Sequence, residues 1–176
     1  FLSGALLIAF LFSMQSSTGD WVMENCDVGQ GDGALYNLGS GRAILIDTGP
    51  DPQLIDACLN NLGIKEIPLL VLTHFHADHV GGVVGVTRGR RIGRVYVTAL
   101  DDPPGMRSWV QRQLSDATLE VMAYPGQFDI NGVTFRCLWP SRLITGRGSD
   151  ANNASVVLHV TSHGATFLFP GDAEPV

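Results

Sequence analysis

The sequence is poor in basic residues, and this shortage limits the kinds of surface that it can form. Its 176 residues include 11 Lys or Arg against 17 Asp or Glu, which gives a formal net charge of −6. This balance excludes a generally basic nucleic-acid-binding surface, although it is compatible with a local basic patch. The apolar content of 45% and the 21 glycines indicate one turn-rich globular domain with its own core.

Cysteine is also scarce. The sequence has three, Cys26, Cys58 and Cys137, and they lie far apart. An odd number of cysteines without a C-x-x-C pair supports neither a disulfide framework nor a cysteine-based zinc ribbon. We therefore expect buried free thiols.

The chain has no initiator methionine and no basic segment before its apolar first residues, so a complete signal peptide is not indicated. As a helix, residues 1–14 would span about 21 Å of a hydrocarbon core about 30 Å thick. We interpret residues 1–15 as the end of a transmembrane helix, 16–20 as a linker and 21–176 as one domain, incomplete at its C-terminus. No Lys or Arg occurs in residues 15–25, which predicts that the domain is extracytoplasmic. The alternative, a signal-peptide core, predicts the same side.

A dense group of histidines and an aspartate follows a short apolar run. Leu69–Thr73 has the character of a buried strand, and it leads into His74, His76, Asp78 and His79. Imidazole and carboxylate groups are the usual ligands of Zn²⁺ and of harder first-row ions. His74 and His76 alternate at the strand exit and can converge on one ion. Asp78 and His79 are then within reach of a second ion about 3.5–4 Å away.

Other aspartates end predicted strands. Asp47 ends the apolar run 42–47, where burial without a partner would be costly, so we expect it to orient the histidine turn. Asp32 follows two glycines that permit a tight turn and place it at a strand end, although a purely structural turn is equally compatible. Asp172 follows the last predicted strand, 165–170.

Two polar segments offer further candidate contacts. Residues 88–94 include Arg88, Arg90 and Arg91, which can contact phosphate groups if this loop borders the site. A solvated loop is the favoured interpretation. The loop 139–153 has no histidine, and its oxygen donors, which suit a harder ion such as Mn²⁺, are Asp150, Asn152 and Asn153. We expect neither His159 nor His163 to be a ligand.

Hydrophobic periodicity and turn residues predict an α/β chain. Helices are expected over 51–62, 80–86 and 103–114. Strands are expected over 21–28, 34–38, 42–47, 69–73, 95–98, 119–123, 127–130, 133–138, 154–161 and 165–170, with a hairpin turn at Asn131-Gly132.

Several motifs occur in a fixed order: Asp27-Val-Gly-Gln-Gly-Asp32, Asp47-Thr-Gly49, His74-x-His-x-Asp-His79-Val-Gly-Gly82, Asn152-Asn-x-Ser155 and Gly171-Asp-x-Glu174. The histidine motif resembles the signature of the metallo-β-lactamase superfamily. The set as a whole resembles the extracytoplasmic metallo-β-lactamase-like domain of the ComEC family of DNA-uptake channels. This resemblance implies an αββα sandwich whose two divalent ions, Zn or Mn, are held by His74, His76, Asp78, His79 and Asp172. In it Asp172 bridges the ions, Asp78 and Asp172 are catalytic, and a further histidine ligand would normally lie in the loop 139–153.

The resemblance also implies a function. The whole protein would admit single-stranded DNA through the inner membrane during natural transformation, and this domain would degrade the strand that is not imported. DNA, the membrane and other competence proteins are the implied partners. Two bound ions would lower the pKa of a bridging water so that hydroxide attacks phosphorus near neutral pH.

Two alternatives stay open. Another hydrolase with this fold would act on a lactone, a thioester or a β-lactam, but we would then expect a third histidine near Asn152. A non-catalytic DNA-binding module would keep the fold with a weakened metal site. The absent histidine favours that module, whereas the retained cluster argues against it, namely His74, His76, Asp78, His79 and Asp172.

Overall fold

The computed structural model describes residues 21–162 and 164–175. The expected end of a transmembrane helix at 1–15, the linker at 16–20 and His163 lie outside the described residues. Across the part that is described, no helix is both long enough and apolar enough to cross a membrane.

Ten strands and five helices occur in the described residues. The strands are β1 Met23–Asn25, β2 Ala34–Gly39, β3 Arg42–Ile46, β4 Glu66–Leu72, β5 Arg91–Val97, β6 Leu119–Val121, β7 Gly126–Ile130, β8 Val133–Trp139, β9 Val157–Ser162 and β10 Ala165–Phe169. The helices are α1 Pro52–Asn61, α2 Ala77–Val80, α3 Val83–Val86, α4 Met106–Gln113 and α5 Asp150–Asn153.

The strands form two sheets. The first has six strands in the order β1-β2-β3-β4-β5-β6, and β3 to β6 are parallel because a helix returns the chain between successive strands. The second has four antiparallel strands in the order β10-β9-β8-β7. The carboxyl ends of the parallel strands therefore lie together at one edge of this sheet. Ligands usually bind at that edge in sheets of this kind.

Two apolar cores separate the layers. Alternate residues of β3 illustrate the division: Leu45 packs under the helices with Ile55 and Leu59 of α1, whereas Ile44 faces Phe135 of the second sheet. Helices, first sheet and second sheet thus form three successive layers of the αββα sandwich expected from the sequence, and this fold class is confirmed.

Most predicted elements are present with shifted ends. The helix expected over 80–86 is split into α2 and α3, and the loop 139–153 contains the short helix α5. The strand expected over 21–28 is shortened to β1 because the chain turns away at Cys26. The hairpin at Asn131-Gly132 is confirmed, since both residues have the positive φ angles, 51° and 80°, of a two-residue turn.

The expectation of free thiols is wrong for two of the three cysteines. Cys26 and Cys58 form a disulfide, whereas Cys137 is free and buried. The two partners are 32 residues apart in sequence, but α1 packs over the start of the β1–β2 connection and brings their Cα atoms to 5.8 Å. Spacing along the chain does not reveal such a packing contact. Closing a loop of this length stabilises a domain by about 2–4 kcal/mol.

Candidate metal centre

Three segments from different strands meet at one edge of the molecule. Asp47 directly follows β3 and His74 follows β4, so both lie where parallel strands end. Asp172 follows β10 of the second sheet. The two sheets are joined here by a hydrogen bond from Val156 N to Thr73 O at 2.9 Å, and within the second sheet Asp172 N donates to Ser155 Oγ at 3.3 Å.

His74, His79 and Asp172 form the centre of this site. One donor atom from each lies within 4.8 Å of the others, so the three can share one ion. His79 Nε2 is 3.2 Å from Asp172 Oδ1, and His74 Nε2 is 4.0 Å from Asp172 Oδ2. Both histidines are buried, but the Asp172 side chain is 39% exposed. The site therefore consists of two buried imidazole rings and one carboxylate that is accessible from solvent.

Asp47 fixes the orientation of His79 from behind. Its Oδ2 is 2.9 Å from His79 Nδ1, and it also accepts hydrogen bonds from Thr73 N at 2.7 Å and Thr73 Oγ1 at 2.6 Å. With Nδ1 engaged, His79 directs Nε2 to the site. Asp47 itself has φ of 58°, a left-handed conformation in which aspartate is tolerated better than most residues.

The two buried histidines have opposite pKa shifts. Burial, together with the charges of His79 and His76, lowers the pKa of His74 to about 3, so it is neutral at pH 7. Burial alone would lower the pKa of His79, but its hydrogen bond to Asp47 and the charges of Asp47, Asp172 and Asp78 raise it to about 9. Burial also raises the pKa of Asp47, partly offset by His79 and Thr73.

The residues at this edge fit a divalent ion. His79 Nε2 is buried and makes no hydrogen bond to any described residue, although it faces a carboxylate. A buried imidazole nitrogen without such a bond is costly unless it binds a cation or a proton. Neutral imidazole and carboxylate are the donors that Zn²⁺ and Mn²⁺ accept.

His76 and Asp78 lie beside this group. His76 Nδ1 is 3.1 Å from His74 Nε2, and its ring stands edge-on to that of His74 with centroids 4.7 Å apart. Asp78 is close enough to influence the pKa of His79, but its Oδ2 accepts a hydrogen bond from Gln30 Nε2 at 3.2 Å. The carboxylate of Asp78 is therefore held at the margin of the cluster.

Asp32 also reaches this edge. Its carboxylate, that of Asp47 and a ring nitrogen of His79 lie within 4.8 Å of one another. Asp32 is exposed, so its carboxylate lies on the solvent side of the buried Asp47–His79 pair.

Asn152 and Asn153 lie on α5, three and two residues before Ser155, whose Oγ accepts a hydrogen bond from Asp172 N. Asn152 Nδ2 donates to Glu174 Oε1 at 3.1 Å, and Asn153 Nδ2 donates to the carbonyl of Arg147. Both side-chain oxygens are buried and make no hydrogen bond among the described residues. Each residue thus has an uncommitted oxygen while its nitrogen is engaged.

The segment 88–94, here called the arginine loop, does not border the site. Arg91 pairs with Glu66 at the first position of β4, whereas His74 follows the last, so the loop lies at the opposite edge of the sheet. Arg90 is buried and ion-paired with Asp56 at 2.8 Å, and Arg88 contacts the same carboxylate at 3.4 Å. The suggested phosphate contact by Arg88, Arg90 and Arg91 has no support in this placement.

Sequence reasoning missed some residues that contact the cluster. Thr73 links Asp47 to His74 through its hydroxyl, and Thr48 Oγ1 donates to His79 O at 3.0 Å. Gln30 is the third. Its position between two glycines of the Asp27–Asp32 motif was the available signal, because such spacing indicates close backbone approach. His159, in contrast, pairs across strands with Arg136 and Leu168 and lies away from the cluster.

Comparison with known proteins agrees with this fold. A sequence profile of the metallo-beta-lactamase superfamily matches residues 26–176. A crystal structure of Zn²⁺-bound PqqB from Methylobacterium extorquens superimposes with a TM-score of 0.52 at 15% identity, covering 78% of this chain and 51% of that one. At this identity the structural likeness concerns the fold alone.

Three curated relatives are also similar. ComE operon protein 3 of Bacillus subtilis (strain 168) is 23% identical over 96% of this chain and 24% of its own length. Competence protein ComA of Neisseria gonorrhoeae is 30% identical over 84% of this chain and 19% of its own. Ribonuclease Z of Clostridium beijerinckii is 35% identical over 41% of this chain and 23% of its own. The chain thus spans about a quarter or less of each relative.

Proposed function

Because this chain belongs to the metallo-beta-lactamase superfamily, we propose that it is the nuclease domain of a DNA-uptake protein. In this role it is a metal-dependent phosphodiesterase that degrades the DNA strand not imported during natural transformation. The substrate is DNA, the attachment is to an inner membrane, and other competence proteins are the partners.

The observation that carries the proposal is the convergence of His74, His79 and Asp172 on one point at the edge of two sheets. A buried pair of imidazoles facing an exposed carboxylate is suited to hydrolysis assisted by metal ions. The similarity to two competence proteins and to a ribonuclease Z supports a phosphodiester over a lactone, a thioester or a β-lactam.

The chain's own residues have separate tasks in this reaction. His74 is neutral and presents a nitrogen lone pair, and Asp47 holds the Nδ1 side of His79 so that Nε2 faces inward. His76, Asp78 and Asp172 complete the set that would hold two divalent ions. Bound ions in such sites supply hydroxide near neutral pH and neutralise charge on phosphoryl oxygens. Asp172 is the most exposed of the central three, and the substrate approaches from its side.

The proposed location is the extracytoplasmic side of the membrane. The Cys26–Cys58 disulfide supports it, because disulfides persist in oxidising compartments such as the bacterial periplasm and are rare in the cytosol. The similarity to two competence proteins is consistent with this location.

The test is cleavage of labelled single- and double-stranded DNA by the purified protein with Mn²⁺, Zn²⁺ or EDTA. Asp78→Ala and Asp172→Ala are expected to lose more than about 100-fold in rate, since even outer-shell partners of a metal site are worth 10–100-fold. Asp116→Ala, at an exposed position after α4, is the matched control and should keep the wild-type rate.

Two results would contradict the proposal. Intact DNA in the presence of bound metal would redirect the search to lactone and thioester substrates. An absence of bound metal would favour a non-catalytic module on the same fold.

A further inference from the structure

The loop between β1 and β2, residues 26–33, is tied to the rest of the molecule at several points, and the mechanism above uses none of them. Its start is joined to α1 by the disulfide between Cys26 and Cys58. Cys26 N also donates to Gly33 O at 2.9 Å, which closes the loop on itself. Its end is held where Gly49 N donates to Asp32 O at 2.7 Å.

The tip of this loop rests on the metal turn. Gln30 Nε2 donates to Asp78 Oδ2 at 3.2 Å. Gly31 has φ of +81° and packs so closely that a Cβ atom there would lie 1.9 Å from the Asp78 carbonyl oxygen. A residue with a side chain is excluded at this position by both the backbone conformation and the contact. The loop tip and the first turn of α2 therefore have a single relative position.

Asp78 depends on this contact more than its neighbours in the cluster depend on theirs. His79 is held by Asp47, and His74 is buried against Thr73. Asp78 is half-buried, and among the described residues its carboxylate accepts one hydrogen bond, from Gln30. Freed from Gln30, the carboxylate would sample other rotamers and lose part of its preorganisation.

We infer that Gln30 is a positioning residue for Asp78, and that the Cys26–Cys58 disulfide keeps Gln30 in place. Binding of the ion that uses Asp78 is therefore strongest in the oxidised protein. The anchor is rigid because Cys58 lies on α1 between Ile55 and Leu59, which are fully buried in the helix-side core. This inference rests on the metal centre of the proposed function and is independent of the substrate.

The test is a titration of the purified, oxidised protein with Zn²⁺ and with Co²⁺ by calorimetry, without nucleic acid. Gln30→Ala is expected to raise the Kd of one of two binding steps about tenfold, the lower end of the range for outer-shell partners, and to leave the other step unchanged. Gln127→Ala removes another exposed glutamine, on β7 of the second sheet, and should bind both ions like the wild type.

The disulfide is tested by the double variant Cys26→Ser/Cys58→Ser and, in case that variant does not fold, by reducing the wild type with a phosphine. Either change should weaken the same binding step as Gln30→Ala. Combining it with Gln30→Ala should add little, because both act through one contact. The thermal unfolding temperature of Gln30→Ala should match that of the wild type. If Gln30 had only a structural role, the variant would unfold at a lower temperature.

The inference is overturned if Gln30→Ala has wild-type binding in both steps, if both steps weaken equally, or if the wild type binds fewer than two ions. It is also overturned if reduction leaves the affinity of the Asp78 step unchanged. A protein that shows the expected binding pattern but leaves DNA intact contradicts the proposed nuclease and keeps this inference.

Discussion

Asp47 combines backbone, hydrogen-bonding and electrostatic tasks in one residue. It adopts a left-handed conformation at the end of β3, it is fully buried, and it accepts hydrogen bonds from Thr73 while contacting His79. Asparagine tolerates the same backbone conformation but lacks the charge. Asp47→Asn therefore separates the electrostatic task from the conformational one.

This variant tests how Asp47 affects the protonation of His79. In the metal-free protein the pKa of His79 is about 9, above the ordinary 6.5, so protonated His79 stabilises the fold. This contribution is fully present below pH 6.5 and is lost as the pH rises through about 9. The free energy of unfolding of EDTA-treated protein should fall across this window in urea titrations. In Asp47→Asn the fall should be flatter. An equal slope in both proteins would show that Asp47 does not raise this pKa.

At the scale of secondary-structure elements, Arg90 joins two helices and a turn to the start of a strand. Its side chain is 1% exposed and donates to the carbonyls of Ile64, Gly85 and Asp56 as well as to the Asp56 carboxylate. Burial would raise the pKa of Asp56, but the hydrogen bonds and charges of Arg90 and Arg88 lower it. The arginine is thus a structural tie between α1, α3 and β5.

Arg90→Ala should lower the free energy of unfolding by about 3–5 kcal/mol, because it leaves buried oxygens and a carboxylate without their partner. Arg91 forms an exposed ion pair with Glu66, so Arg91→Ala should cost less than about 1 kcal/mol. Urea denaturation measures both. Neither variant should change the metal affinity of the folded protein. A loss of DNA cleavage per folded molecule would indicate instead that the arginine loop contacts the substrate.

Elements governed by local chemistry were predicted well from the sequence. The turn at Asn131-Gly132 needs two positive φ angles, which these residues favour. Helix α1 begins directly after Asp51 because the Asp51 carboxylate accepts hydrogen bonds from Gln53 N and Leu54 N. Elements governed by tertiary packing were predicted poorly. Strand β4 begins at Glu66 and includes Pro68, whereas the apolar run in the sequence predicted a strand that begins at Leu69.

At the scale of the whole molecule, the net charge of −6 limits how DNA can be held. The arginine loop lies at the far edge of the sheet, so it does not supply attraction to phosphates near the site, and we expect bound ions to supply most of it. With two or three phosphates neutralised, the logarithm of the binding constant for single-stranded DNA should fall with log salt concentration with a slope of about −2 or shallower. Fluorescence anisotropy with a phosphorothioate oligonucleotide measures it. A slope steeper than about −4 would require a basic surface elsewhere in the protein.

The candidate site was predictable in its residue types but not in its connections. Ligand chemistry and spacing select His74, His76, Asp78 and His79, because few other arrangements place so many donors after a buried strand. The disulfide, the contact of Gln30 with Asp78 and the distance of Arg90 from the site depend on how remote segments pack. Glycine spacing can indicate a close backbone approach, as at Gln30, but spacing along the chain does not identify the segment that is approached.

The central donors come from different sheets, since His74 and His79 follow β4 of the first sheet and Asp172 follows β10 of the second. An ion held by all three would therefore link the two sheets, and it would have to dissociate before the sheets could separate. Above its Kd, each tenfold rise in free ion concentration then adds about 1.4 kcal/mol to the stability of the fold. If such an ion is bound, metal supply in the surrounding compartment thus contributes to the thermodynamic stability of the folded domain.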